Sequence, residues 1–337
     1  MTSGEHGFYA RTFFLVAAVV VGLGVLAVYV VDNSPIGMRY VLRTRIVRGK
    51  AVTEIPADAR AKVEPILTER FGTPAAPKID LEGWESDGAR LLRGAAFYRR
   101  NCMHCHGVTG DGDGPTARFL TPRPRDYRLG VFKFTSTVSS AKATREDLLH
   151  TVLEGMPGTM MPSFSLYDRE DVEAVVDYVI HLSMRGEFEE ALAMRLLDGD
   201  DLDEDVVEEE VELLVEGWAD AASSRQPVPV VQPVPSSAEA IARGSELFRG
   251  AGNCISCHGP SGRGDGPSVQ GMDPDVWGNP IRPADLTRGD FRGGFRPIDV
   301  FRRIHAGVKG TPMPGGSMTE EQMWDLVHYI RSLRRGD

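Results

Sequence analysis

Several stretches of the chain space their apolar side chains as a helix with one buried face would. Val172, Val175, Val176, Val179 and Ile180 follow the i, i+3, i+4, i+7, i+8 pattern. Asp168 stands where an N-cap belongs and Gly186 where such a helix would stop, so a helix is predicted between them. Near the C-terminus Met323, Leu326, Val327 and Ile330 form a second face, opened by Thr319 and Gln322 at capping-box spacing. A third face, Val207, Val211, Leu214, Val215 and Trp218, predicts an amphipathic helix in an acidic segment. A short amphipathic helix is also predicted near Ala57–Phe71.

Thr12 to Val31 breaks this pattern, because it is apolar on every side. Its 20 residues carry no charge, and as a helix they would span about 30 Å, the apolar thickness of a bilayer. A signal-peptide core is usually shorter, and no small-residue cleavage site precedes "DNSPIG". The run is therefore read as a retained single-pass anchor. Arg11 is the one basic residue just before it, while Arg39, Arg43, Arg45, Arg48 and Lys50 come after. Taken alone, that charge bias would put the C-terminal side in the cytoplasm.

The rest of the chain is written twice. "RGAAFYRRNCMHCHG" matches "RGSELFRGAGNCISCHG", "PRPRDYRLGVF" matches "PIRPADLTRGDF", and "LEGMPGTMMP" matches "HAGVKGTPMP". The expected organisation is a tail at 1–11, the anchor at 12–31 and a juxtamembrane segment at 32–82. A first unit comes next at 83–186, then an acidic helical segment and proline-rich linker at 187–235, and a second unit at 236–337. Residues 187–220 hold 15 Asp or Glu and one Arg, and "QPVPVVQPVP" favours an extended polyproline connector that would set the separation of the units. The net charge of −10 makes nucleic acid an unsuitable partner.

All four cysteines fall in the repeat, as Cys102 and Cys105 before His106 and as Cys254 and Cys257 before His258. C-x-x-C-H is the attachment signature of c-type haem: two thiols add to the haem vinyl groups and the adjacent histidine reaches the iron. The alternatives for such pairs are a shared zinc site and a redox dithiol. The two pairs are far apart in self-sufficient copies, and neither alternative calls for the histidine. The GDG turns after each motif are read as tight loops, since a calcium site needs more oxygen ligands.

The opposite ligand can be chosen by aligning the copies. Met156, Met160 and Met161 are the candidates in unit 1. Only Met161 faces a methionine, Met313, in unit 2, and each lies 55 residues after its histidine and just before a proline. Met103, Met156 and Met160 are read as packing residues. His/Met ligation fills both axial positions and suits one-electron transfer.

Both units resemble class I cytochrome c domains, on CxxCH, the distal Met-Pro and the terminal helix, over about three fifths of the chain. The resemblance implies a mainly α fold, with two such domains in tandem behind one transmembrane helix. It implies that helices near Asp87–Arg100 and Asp168–Arg185 cross in unit 1, and those near Ala238–Arg249 and Thr319–Arg334 in unit 2. It implies two covalently attached haem c groups. It makes Arg123 and Arg282, each followed by proline, candidates for haem propionates. His104, His150, His181, His305 and His328 have no counterpart in the other copy and are read as structural or surface residues.

Haem c is attached outside the cytoplasm, so the resemblance places both units in the periplasm of a bacterial inner membrane, against the charge bias around the anchor. The arginines after the anchor would then rest on anionic head groups. The expected function is single-electron relay between redox proteins of a respiratory chain, as a subunit or partner of a membrane complex and not as an enzyme. The acidic segment is a candidate dock for a basic partner. The rival reading is a dihaem cytochrome c peroxidase, which needs one iron open to peroxide; a redox sensor is a third, but no signalling domain is visible.

Overall fold

A computed structural model of the chain describes residues 38–138, 140–222, 228 and 235–334. The expected anchor and nearly all of the expected proline-rich connector lie outside them. Among the described residues no helix is long and apolar enough to cross a membrane.

Each unit is built on one helix crossing. In unit 1, α2 (Gly88–Asn101) packs against the long helix α5 (Arg169–Asp198); α1 (Ala57–Phe71) precedes this pair in the chain. The one-turn helix α3 (Met103–His106) and α4 (Arg145–Glu154) lie between the crossing helices in sequence. After α6 (Glu204–Ala222), unit 2 repeats the crossing with α7 (Ala238–Arg249) and α10 (Glu320–Ser332), with α8 (Ile255–His258) and α9 (Pro297–Ala306) between them.

The crossings are close enough to require glycine. A Cβ on Gly94 would lie 2.1 Å from the Ala174 carbonyl oxygen, and one on Gly244 would lie 2.1 Å from that of Asp325. Tyr178 and Tyr329 flank these contacts, each with its ring centroid 5.3 Å from an aromatic of the first helix, Tyr98 or Phe248. The helix starts agree with the sequence. Asp87 accepts from Ala89 and Arg90, Asp168 accepts from Glu170, and Thr319 with Gln322 closes a full capping box.

The helix expected to stop at Gly186 does not stop there. It continues to Asp198 and ends at Gly199, whose φ of 98° is the left-handed cap. Gly186 is small for another reason: a Cβ would meet the Arg128 backbone at 2.5 Å. The extra turns bury Phe188, Leu192 and Ala193. Val63, Leu67 and Phe71 of α1 and Val207, Val211 and Trp218 of α6 join the same core as α2 and α5. Unit 1 therefore reaches beyond both of its expected edges, and the acidic segment is part of its wall.

The basic stretch after residue 38 folds back onto the protein, with Arg43 buried. It forms a hairpin of β1 (Arg45–Arg48) and β2 (Ala51–Glu54), with Arg48 opposite Ala51. Arg43 is 5% exposed and donates to Glu190 and to the Gly186 and Arg128 carbonyls. Arg48 also pairs with Glu190, and Lys50 pairs with Asp273 of unit 2. Arg43 and Arg48, expected on lipid head groups, meet carboxylates of the protein, as does Lys50. Likewise, Glu208 of the acidic segment pairs with Arg70 and Glu210 with Arg195.

The two units dock directly, so contacts set their separation, not only the connector. Arg303 of unit 2 donates to the Lys133 carbonyl at 3.0 Å and to that of Thr135. Lys309 donates to Thr137 Oγ1 at 2.8 Å. Val228 of the connector sits in the core of unit 2 and donates its N–H to the Ser136 carbonyl of unit 1.

Candidate functional site

In each unit the C-x-x-C-H segment is a single helical turn, and the glycine-rich loop folds back over it. Gly112 N–H donates to His106 O and Gly114 N–H to Cys105 O; in unit 2 Gly264 donates to His258 O and Gly266 to Cys257 O. Gly110, Gly112, Gly262 and Gly264 all have φ between 72° and 75°, which the fold-back requires and other residues resist. The GDG turns are tight loops, as expected.

The two motif histidines are held in the same way. His106 Nδ1 lies 3.3 Å from the Arg125 carbonyl, and His258 Nδ1 lies 3.1 Å from the Ala284 carbonyl. A carbonyl can only accept, so Nδ1 carries the proton and Nε2 keeps its lone pair for a metal. Burial pulls His106 down to about 4, against the opposing pull of the Arg125 hydrogen bond, and lowers His258 as well. Both rings are neutral at physiological pH. Tyr127 stacks on His106 with centroids 4.7 Å apart.

The cysteines form no disulfide. Burial pushes the Cys102 thiol up to about 12, with Cys105 adding to the effect, and raises Cys254 too. A redox dithiol needs the opposite shift, toward thiolate. Nor do three or more His, Cys, Asp or Glu side chains converge anywhere among the described residues, as a zinc site would need. What the residues fit is a group held through two thioethers and one neutral imidazole.

The methionine loops are copies at atomic detail. Met161 O accepts from Met156 N–H and Met313 O from Val308 N–H, both at 3.1 Å. Met161 N–H donates to Thr159 Oγ1 at 3.1 Å and Met313 N–H to Thr311 Oγ1 at 3.2 Å. Gly158 and Gly310 turn both loops at φ near 70°. Met160, the neighbour set aside on the repeat, is 69% exposed, whereas Met161 and Met313 are half-buried. A cleft of about 460 Å³ opens between the units at Met313, lined also by Phe132, Lys142, Lys309 and Thr311. Arg123 is exposed and lies 3.6 Å from Asp113, and Arg282 is exposed.

The cytochrome c family profile matches residues 91–183 and 241–334, more than half of the chain. The chain belongs to the cytochrome c family. Membership of it implies covalently bound haem c and haem-based electron transfer. Among solved structures, a chain of the Kuenenia stuttgartiensis reducing HAO-like protein complex Kustc0457/Kustc0458 is similar. It shares 29% sequence identity with a TM-score of 0.56, over 76% of this chain and 100% of that one. No curated protein matches the chain.

The structure adds residues to the cytochrome c site that the motifs alone do not reveal. The carbonyls of Arg125 and Ala284 orient the histidines. The first lies 19 residues after its histidine and the second 26, so unit 2 carries seven extra residues in this loop. That difference in spacing is the signal present in the sequence. The extra residues hold Asp275 and Trp277, which face unit 1.

Proposed function

We propose that the protein is a membrane-tethered dihaem c-type cytochrome that relays single electrons at the periplasmic face of a respiratory chain. Cys102 and Cys105 hold one haem and Cys254 and Cys257 the other. His106 with Met161, and His258 with Met313, are the axial pairs. When bound, each haem supplies a one-electron ferrous–ferric couple. The chain presents Nε2 of a neutral histidine from one side and fixes the opposite thioether in a hydrogen-bonded turn. With both axial positions filled there is no place for peroxide, so the chain is a carrier rather than a peroxidase-like enzyme. Arg123 and Arg282 are the proposed propionate partners, and residues 12–31 the lipid tether.

The observation that carries this reading is the duplication: two histidine clamps and two methionine turns with matching hydrogen bonds. Its likeness to a chain of a HAO-like complex supports work inside a larger redox assembly. The test is purification from native membranes in mild detergent, with subunit identification and optical spectra. Two low-spin c haems co-purifying with an oxidoreductase are expected. Fewer than two covalent haems, or a five-coordinate iron, overturns the reading.

A further inference from the structure

The seven-residue difference between the two histidine loops is placed where it acts. Asp275, 2% exposed, anchors the extra loop of unit 2: its Oδ1 accepts from the N–H groups of Trp277 and Asn279 at 3.2 and 2.9 Å. Its Oδ2 points the other way, into unit 1, toward Lys133 Nζ at 3.0 Å and Arg125 at 3.5 Å. The Arg125 guanidinium lies 3.9 Å above the Trp277 ring, a cation–π contact, and Trp277 Nε1 donates to the Asp126 carbonyl at 3.0 Å. Thus three contacts from unit 2 hold residues 125 and 126 of unit 1. Residue 125 is the one whose carbonyl accepts the His106 proton.

Among the described residues unit 2 has nothing comparable. Its clamp residue is Ala284, exposed and without a side chain to grip. The far edge of Trp277 meets the other haem site: a Cβ on Gly310 would come within 2.8 Å of the indole ring, in the turn that carries Met313. Val276 N–H also donates to Gly310 O at 2.9 Å.

We propose that unit 2 completes the first haem site: Asp275 and Trp277 are positioning residues for His106, acting through Arg125 and Asp126. The two haem sites are then joined proximal side to distal side, with Trp277 in contact with both loops. The hydrogen bond at Nδ1 makes the imidazole a more basic ligand and favours ferric iron. Loosening the grip on Arg125 weakens that bond and raises the reduction potential of the first haem. The inference rests on His106 and Met161 being ligands of that haem.

The experiment uses the full-length holoprotein with Asp275→Asn, which keeps the shape of the loop anchor, and separately Trp277→Ala. The readouts are the two reduction potentials and the two ferric low-spin EPR signals, assigned to units through single Met161→His and Met313→His variants. In Asp275→Asn, the unit 1 signal should move and its potential rise, with unit 2 at its wild-type values. Trp277→Ala should move unit 1 further and disturb unit 2 through the Gly310 turn. Unit 1 values unchanged in both variants, or both units shifted equally by Asp275→Asn, overturn the inference. A wild type without a His/Met low-spin signal from unit 1 overturns the ligand reading, and the inference with it.

Discussion

Unit 1 and unit 2 close the same turn around a C-x-x-C-H segment, yet only unit 1 is wrapped. The β1–β2 hairpin, α1, the far half of α5 and α6 surround it, and unit 2 covers its histidine loop. Unit 2 has the bare crossing of α7 and α10, and its own clamp residue, Ala284, is open to solvent. The cradle is thus set by a short local pattern, while its surroundings are set by what each copy has added. Local hydrogen bonds decide which group is held. The wrapping decides how wet the site is and how firmly it stands.

The sharpest way to break the comparison is to remove the wrapping. Phe71 is fully buried against α5 and has no equivalent in unit 2. Phe71→Ala should cost unit 1 about 4 kcal/mol and leave unit 2 unchanged, read by denaturation followed separately at the two haems. Next come the crossings, which the units share. Gly94→Ala and Gly244→Ala each force a Cβ onto a carbonyl oxygen and should cost about 3 kcal/mol. Unit 1, with its added shell, should still take up haem after the change, while unit 2 should lose it; equal haem content in the two variants would count against the role given to the wrapping.

Acid should also separate the units. His181 is fully buried, its Nε2 donates to the Phe71 carbonyl at 2.9 Å, and burial pulls it from 6.5 to about 4. Between those values the unfolded chain binds a proton that the folded chain does not. The stability it contributes is full above pH 6.5 and is lost as the pH falls toward 4, by roughly 3 kcal/mol. Aligning Tyr178 with Tyr329 puts Ser332 at this place in unit 2, so a melting series against pH should show the steeper slope in unit 1, where His106 and His181 are both lowered against His258 alone in unit 2, and His181→Leu should reduce that excess. The smallest effect is on the potentials. A covered site disfavours the extra charge of ferric iron by more than the held Nδ1 hydrogen bond of His106 favours it, so the first haem should have the higher potential of the two in a redox titration.

What the sequence made legible was local. The five-residue apolar face ending at Ile180, the caps at Asp168 and Thr319 and the C-x-x-C-H turns all depend on neighbours within a few residues or on the repeat. What it hid depended on distant partners. Gly186 reads as a stop because a glycine that admits Arg128 looks the same as one that turns left-handed. Glu190 and Glu208 of the acidic segment read as part of a dock for a basic partner because their cations, Arg43, Arg48 and Arg70, lie over a hundred positions earlier. The helix at Ala57–Phe71 was visible, but nothing near it shows that it packs on α5. Matching Arg123 to Arg282 skips the seven residues by which the two loops differ in length, and with them the contact between the units.

The reach of Trp277 to the Asp126 carbonyl also orders events in time. The two residues are 151 positions apart. At ordinary rates of synthesis the second is made about 8 to 30 seconds after the first. During that interval the first unit has its crossing helices and then its own outer wall, but not the loop that fixes its histidine. The first haem site is therefore finished last, by the arrival of the second unit, and a chain cut short before residue 277 would carry a first site that is folded yet unset.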